Sequence, residues 1–200
     1  YFRPGPKDHN GLPDHKILQV IRSANIIGLY GGLSSTIPRL FEVAHFYKRE
    51  TSAVTIAGGQ HFVGDNVRTA LENDIDFVVI GEGEDTIREL LTVIRNGESP
   101  DAVAGIAFMR NGRMIQTPPR PAITEFDDLP VPDFGLLQYA RMKLFPVGWI
   151  RGCGMNCEFC TVKGKPRSAS PERVLKHIAT ALEEHDARDF FIVDDLFGHN

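Results

Sequence analysis

The chain is poor in cysteine, nearly empty of tryptophan and without a long hydrophobic run. Its three cysteines lie within a single short stretch, so a disulfide framework is excluded within this chain. No apolar run approaches the length of a membrane span, and no signal-peptide pattern is visible. A Lys/Arg-rich block is also missing. With 26 acidic against 22 basic residues and a net charge of −4, nucleic acid is disfavoured as the main partner. There is no internal repeat at solenoid periods and no low-complexity tract. No Gly-x-Gly-x-x-Gly occurs either, which leaves a nicotinamide or flavin dinucleotide site without support. Clustered, unpaired cysteines suit a reducing cytoplasm. Two hundred residues suffice for one domain and part of a second. The chain starts at Tyr1 and stops at Asn200 just after an apolar, strand-like run, so it reads as a piece of a longer protein.

What is present is an α/β pattern. Residues 1–13 read as a loop, and Asp14 can cap a short helix with Ile17, Leu18 and Ile21 on its apolar side. Ile26–Tyr30, Ala53–Ala57 and Phe77–Ile80 read as buried strands. They alternate with helices that carry Leu40, Phe41, Ala44 and Tyr47, then residues 65–71, then Ile87, Leu90, Leu91 and Ile94. Strands apolar throughout, alternating with helices, predict a parallel sheet covered on both faces. Residues 105–116, with Asn111-Gly112 at the centre, predict a β-hairpin. Glycine-rich turns follow all three strands: Gly31-Gly32, Gly58-Gly59 and Gly81 with Gly83. In open α/β sheets ligands sit at such strand ends, where small residues let the backbone approach.

Residues 117–147 hold Pro118, Pro119, Pro121, Pro130, Pro132 and Pro146, which predicts a stiff linker between two domains. Val147–Ile150 reads as a strand entering the cysteine stretch. Ser170 and Pro171 open a helix with Val174, Leu175, Ile178, Ala181 and Leu182 on one face, and Phe190–Val193 reads as the next strand. The expected domains are therefore 1–116, with sequence missing before it, and 148–200, truncated at its end.

Cys153, Cys157 and Cys160 follow a Cys-x3-Cys-x2-Cys spacing. Soft thiolates packed so closely select zinc or an iron–sulfur cluster. Three is an odd number for either: a structural zinc and a fully protein-held [4Fe–4S] cube each want four ligands. With three, one iron keeps an open position. Backbone N–H groups of Gly152 and Gly154 can hydrogen-bond to the sulfurs and raise the potential. The competing reading is a Cys3His zinc site with His177 or His185 as fourth ligand, in a zinc-stapled, non-enzymatic ligand-binding module.

The cysteine spacing, with Phe159 just before the last cysteine, resembles the signature of the radical S-adenosylmethionine (SAM) enzymes. Residues 29–36, 57–61, 78–85 and 128–132 resemble the first half of B12-binding-domain radical SAM proteins. That resemblance implies a Rossmann-like B12-binding-type domain followed by the start of a partial (β/α) barrel. It implies an enzyme with a [4Fe–4S] cluster on the three cysteines and SAM on the open iron, cleaved to a 5′-deoxyadenosyl radical. It implies cobalamin, for methyl transfer or ring formation, with a cobalamin-independent oxidoreductase as the alternative. Ser34, Ser35, Gly58, Gly59, Gly81, Glu82 and Gly83 would line the cobalamin slot. Phe159 would lie on the adenine of SAM, with Asp194, Asp195 and Asn200 near SAM and Lys163, Lys165 and Arg167 around its carboxylate or solvating the loop. The implied partners are a small-molecule substrate and a reductant such as flavodoxin or ferredoxin. One departure is Gln60, where the family usually has proline before the histidine, so His61 reads as a hydrogen-bonded structural residue. The Asp-x-His-x-x-Gly motif of other methylcobalamin proteins is absent.

Overall fold

The chain divides into two compact units, Tyr1–Ala122 and Ile123–Asn200. The structure, a computed structural model, describes residues 23–137, 142–155, 157–160, 162 and 164–198. The expected helix after Asp14 lies outside the described residues, as do Lys163 and Asn200.

The first unit is a five-stranded sheet with helices on both faces. β1 (Ile26–Tyr30), β2 (Val54–Gly58) and β3 (Phe77–Val79) are parallel neighbours. β4 (Ile106–Arg110) and β5 (Arg113–Gln116) extend the sheet antiparallel, in the order β1-β2-β3-β4-β5. The three strands expected to be parallel are so, and the expected hairpin joins β3 antiparallel, which makes the whole sheet mixed. The reason lies in residues 97–105, which run back along the sheet and bury Val103. They bring Gly105 to the carboxyl end of β3, where Ile80 N–H donates to its carbonyl at 2.8 Å. β4 therefore sets out in the opposite sense. At the β4–β5 turn, Asn111 and Gly112 both have positive φ (51° and 73°), as a tight hairpin turn requires.

The apolar residues of each strand divide between the faces. Leu29, Ala57, Val78 and Ala107 pack against Ile37, Leu40 and Ala44 of α1 (Ile37–Glu50) and Val67, Ala70 and Leu71 of α2 (Asp65–Leu71). Ile56, Phe77, Val79, Ile106 and Phe108 pack against Leu90 and Ile87 of α3 (Glu84–Asn96). Both faces being covered, all three loops after β1, β2 and β3 meet at one edge, the carboxyl end of the parallel strands.

In the second unit β6 (Leu144–Val147) pairs in parallel with β9 (Asp189–Ile192), and α4 (Pro171–His185) forms the crossover. β7 (Ile150–Arg151) and β8 (Arg167–Ser168) form a short antiparallel ladder at the base of the cysteine loop. The strand expected at 147–150 lies earlier. Pro146 is accommodated in β6 opposite Phe191, since β6 pairs on one side only among the described residues. Ser170 caps α4 by accepting the Arg173 N–H at 3.1 Å, with Pro171 at the first helical position. The buried seam of α4 runs through His177 and Ala181, while Leu175 and Leu182, expected on that face, are exposed. The stretch expected as a linker is divided. Thr117 pairs with Ile106 and Arg120 donates to Thr86 in the first unit. Asp127 accepts the Ser170 N–H and Arg173 donates to the Leu129 carbonyl in the second.

Candidate functional sites

Two sites stand out, one in each unit. The first is the carboxyl edge of the five-stranded sheet. Gly31 N–H donates to the Gly58 carbonyl at 2.8 Å, and His61 N–H donates to the Gly31 carbonyl at 3.0 Å, so the loops after β1 and β2 are laced together. Gly59 sits at φ +123°, and a Cβ there would stand 2.6 Å from the Gly31 carbonyl oxygen. Ser34 and Ser35 open a 3-10 turn directly after that loop. Ser34 Oγ is 3.0 Å from His61 Nδ1, which gives the histidine the hydrogen-bonded place expected for it. Gln60 accepts from the Tyr30 hydroxyl at 3.3 Å. After β3, Gly81 takes φ +86° with open space where a Cβ would lie, and Gly83 is the N-cap of α3. Glu84 and Asp85 occupy the first turn of that helix, where they stabilise its dipole, and Glu82 precedes them in the loop. The sequence reading missed Tyr30, Leu33 and Val63. All three are exposed, Tyr30 at the carboxyl end of β1 and Leu33 and Val63 in the loops that follow β1 and β2. Nothing in their local sequence distinguishes them from core residues.

The second site is the cysteine loop between β7 and β8. Cys153, Cys157 and Cys160 form no disulfide and are half-buried. Cys160 N–H turns back to the Cys157 carbonyl at 3.2 Å. The neck of the loop is held by Trp149, whose Nε1 donates to the Ala169 carbonyl at 2.8 Å while its own carbonyl accepts the Ala169 N–H. The Gly152 and Gly154 N–H groups do not point at sulfur, contrary to expectation. Gly152 donates to Asp195 Oδ2 at 2.7 Å and Gly154 to the Gly164 carbonyl at 2.9 Å. Both glycines have positive φ, and a Cβ on Gly152 would meet the Lys165 carbonyl oxygen at 2.7 Å. Phe159 is 91% exposed. Arg167, expected near SAM or in solvent, is instead committed to the Ile123 carbonyl and lies 5.4 Å over the Phe126 ring. Lys165 is exposed.

Among the described residues no three His, Cys, Asp or Glu side chains are gathered as a metal group. The loop supplies three donors, and a bound metal group would have to draw them together. Neither histidine of the zinc reading is gathered with the cysteines among the described residues. His177 stacks on Phe134 at 5.8 Å and His185 meets the same ring edge-on, both inside the aromatic cluster under α4. Each has a buried Nε2 with no partner among the described residues. Burial holds the His177 pKa below its ordinary 6.5, with the Arg173 charge adding to the effect. The unfolded chain then binds a proton that the folded chain refuses, so stability rises with pH through this window. The second unit should therefore lose stability as the pH falls below about 6.5, and His177→Phe should flatten that slope in denaturant titrations at pH 7 and pH 5.5.

No protein-family model matches the chain. It is 32% identical over 183 residues to an uncharacterized methyltransferase of Pyrococcus horikoshii, covering 84% of this chain and 40% of that protein. It is 29% identical over 157 residues to the anaerobic magnesium-protoporphyrin IX monomethyl ester cyclase of Rubrivivax gelatinosus, covering 71% of this chain and 28% of that one. Among solved structures it matches the radical SAM methyltransferase TsrM of Kitasatospora setae with a TM-score of 0.71 at 18% identity, over 90% of this chain and 38% of that chain. The chain thus spans two fifths or less of each of these three proteins. Methyltransferases and cyclases are its relatives, and its fold is that of the B12-binding-domain, cobalamin-dependent radical SAM proteins.

Proposed function

We propose that this chain is part of a cobalamin-dependent radical SAM enzyme that methylates or cyclises a small molecule at an unactivated carbon. The observation that carries the reading is the trio of cysteines on one anchored loop, following a strand in the fold that TsrM also has. The donor set fits a [4Fe–4S] cluster. Cys153, Cys157 and Cys160 would hold three irons as thiolates and leave the fourth for SAM. When bound, the cluster would supply the electron that cleaves SAM, and cobalamin would carry the methyl group. The protein's part is to bind, orient and exclude water. Exposed Phe159 offers a flat apolar face to the adenine. At the other site, Gly58, Gly59, Gly81 and Gly83 keep the sheet edge free of side chains, so a large planar cofactor can approach the backbone, with Ser34, Ser35 and Glu82 as polar neighbours. A reductant such as flavodoxin or ferredoxin would serve the cluster. No helix among the described residues is long and apolar enough to cross a membrane, and we place the enzyme in the cytoplasm.

The test is anaerobic reconstitution with iron and sulfide, followed by EPR of the reduced protein with and without SAM. A [4Fe–4S] signal that changes on adding SAM is the expected result. Stoichiometric zinc with no cluster would overturn the reading. Retention of added cobalamin through gel filtration separates the cobalamin-dependent enzyme from a cobalamin-independent oxidoreductase.

A further inference from the structure

We propose that Asp194 and Asp195 are positioning residues that set where the cysteine loop leaves the sheet, an inference that rests on the cluster reading above. The β6–β9 ladder makes its last backbone bond where Val193 N–H donates to the Val147 carbonyl at 3.0 Å. Beyond that point the two chains part at Gly148, and side chains take over. Asp194 Oδ1 accepts the N–H groups of both Trp149, at 2.6 Å, and Ile150, at 2.9 Å. Asp195 Oδ2 accepts the N–H of Gly152 at 2.7 Å. Two adjacent carboxylates at the end of one strand thus hold three amides of the segment that leads into Cys153.

The grip is closed on the opposite edge. Ile150 and Arg151 pair there with Ser168 and Arg167 of β8, and Gly154 donates to Gly164. The direction in which Cys153 emerges is therefore set by contacts on both edges of the neck, outside the loop's own turn. The choice of residue carries information as well. Asp194 Oδ2 is buried and finds no partner among the described residues. Burying that oxygen without a partner makes the carboxylate a costly clamp. What it adds is strength: bonds to an ionised acceptor are about twice as strong as neutral ones. A stiff neck matters when three separate thiols must converge on one cluster, and partners behind metal ligands typically govern affinity by about 10–100-fold.

Asp194→Ala, Asp195→Ala and the conservative Asp194→Asn, each in the full chain, test this. In the protein before reconstitution, Asp194→Ala should speed amide exchange at Trp149 and Ile150 about tenfold, and Asp195→Ala should do the same at Gly152. Amides of α4 should stay protected, which shows that the second unit remains folded. After reconstitution, both alanine variants should lose iron to a chelator about tenfold faster than the unaltered chain. Asp194→Asn, which keeps an accepting oxygen without the charge, should recover only part of both effects. Unchanged exchange at Trp149 and Ile150 would overturn the positioning role alone. Faster exchange with unaltered iron retention would overturn it too. If the unaltered chain takes up no iron, the cluster reading falls and this role falls with it.

Discussion

Cys153→Ala should abolish SAM cleavage and erase the EPR signal of the reduced cluster, while leaving cobalamin retention unchanged. Complete loss is expected because the three thiols form the minimum set. In the proposed cluster they would hold three irons of a cube and leave one open, so removing a thiol would strand a second iron with two protein ligands remaining. Cys153 is half-buried and forms no disulfide, and alanine occupies less space in the same loop. Folding stability should therefore change little, and circular dichroism and thermal melting of the metal-free variant should match the unaltered chain. Iron and sulfide per chain, EPR and SAM cleavage products measure the effect together. Persistent cleavage in the variant would sink the assignment of these cysteines. Retained cobalamin alongside lost cleavage would show that the two sites bind their groups through different units.

Gly59→Ala should have the opposite signature, with the cluster retained and the first unit badly destabilised. Two costs combine at this position. The residue lies at φ +123°, where an L side chain is strained by about 1–3 kcal/mol. The new Cβ would also stand 2.6 Å from the Gly31 carbonyl oxygen and 2.8 Å from its carbon, closer than real contacts allow. The backbone cannot yield cheaply, because Gly31 is tied through its N–H to Gly58 and through its carbonyl to His61. A loss of roughly 3 kcal/mol or more follows, lowering the melting temperature of the first unit by about 10–20 °C. Two controls bracket it. Gly28→Ala, in β1 with open space around a Cβ, should be nearly neutral. Gly97→Ala, at the left-handed end of α3 with nothing within 4 Å, should cost only about 1 kcal/mol. If Gly59→Ala behaves like Gly97→Ala, the close approach of the two loops is wrong. At temperatures where the variant is still folded, weakened cobalamin retention would tie this edge to the cofactor.

The sequence by itself determined the chemistry on offer. Three cysteines with no fourth define an incomplete ligand set before any fold is known, because ligand number is a property of composition and spacing. It also determined the alternation of strands and helices and the hairpin at Asn111-Gly112, since apolar periodicity and positive-φ turns are local demands. Tertiary structure decided the rest. The sense of β4 depended on where residues 97–105 return, and composition does not say that. The roles of His177 and His185 depended on which way α4 faces its aromatic neighbours, and the helix set both rings against Phe134. Asp194 and Asp195 look like solvent-facing or capping residues from their neighbours in sequence. They are tethers because the end of β9 lies beside residues more than forty positions earlier in the chain. A hydrogen bond across such a separation is created by the fold alone, and no local pattern carries it.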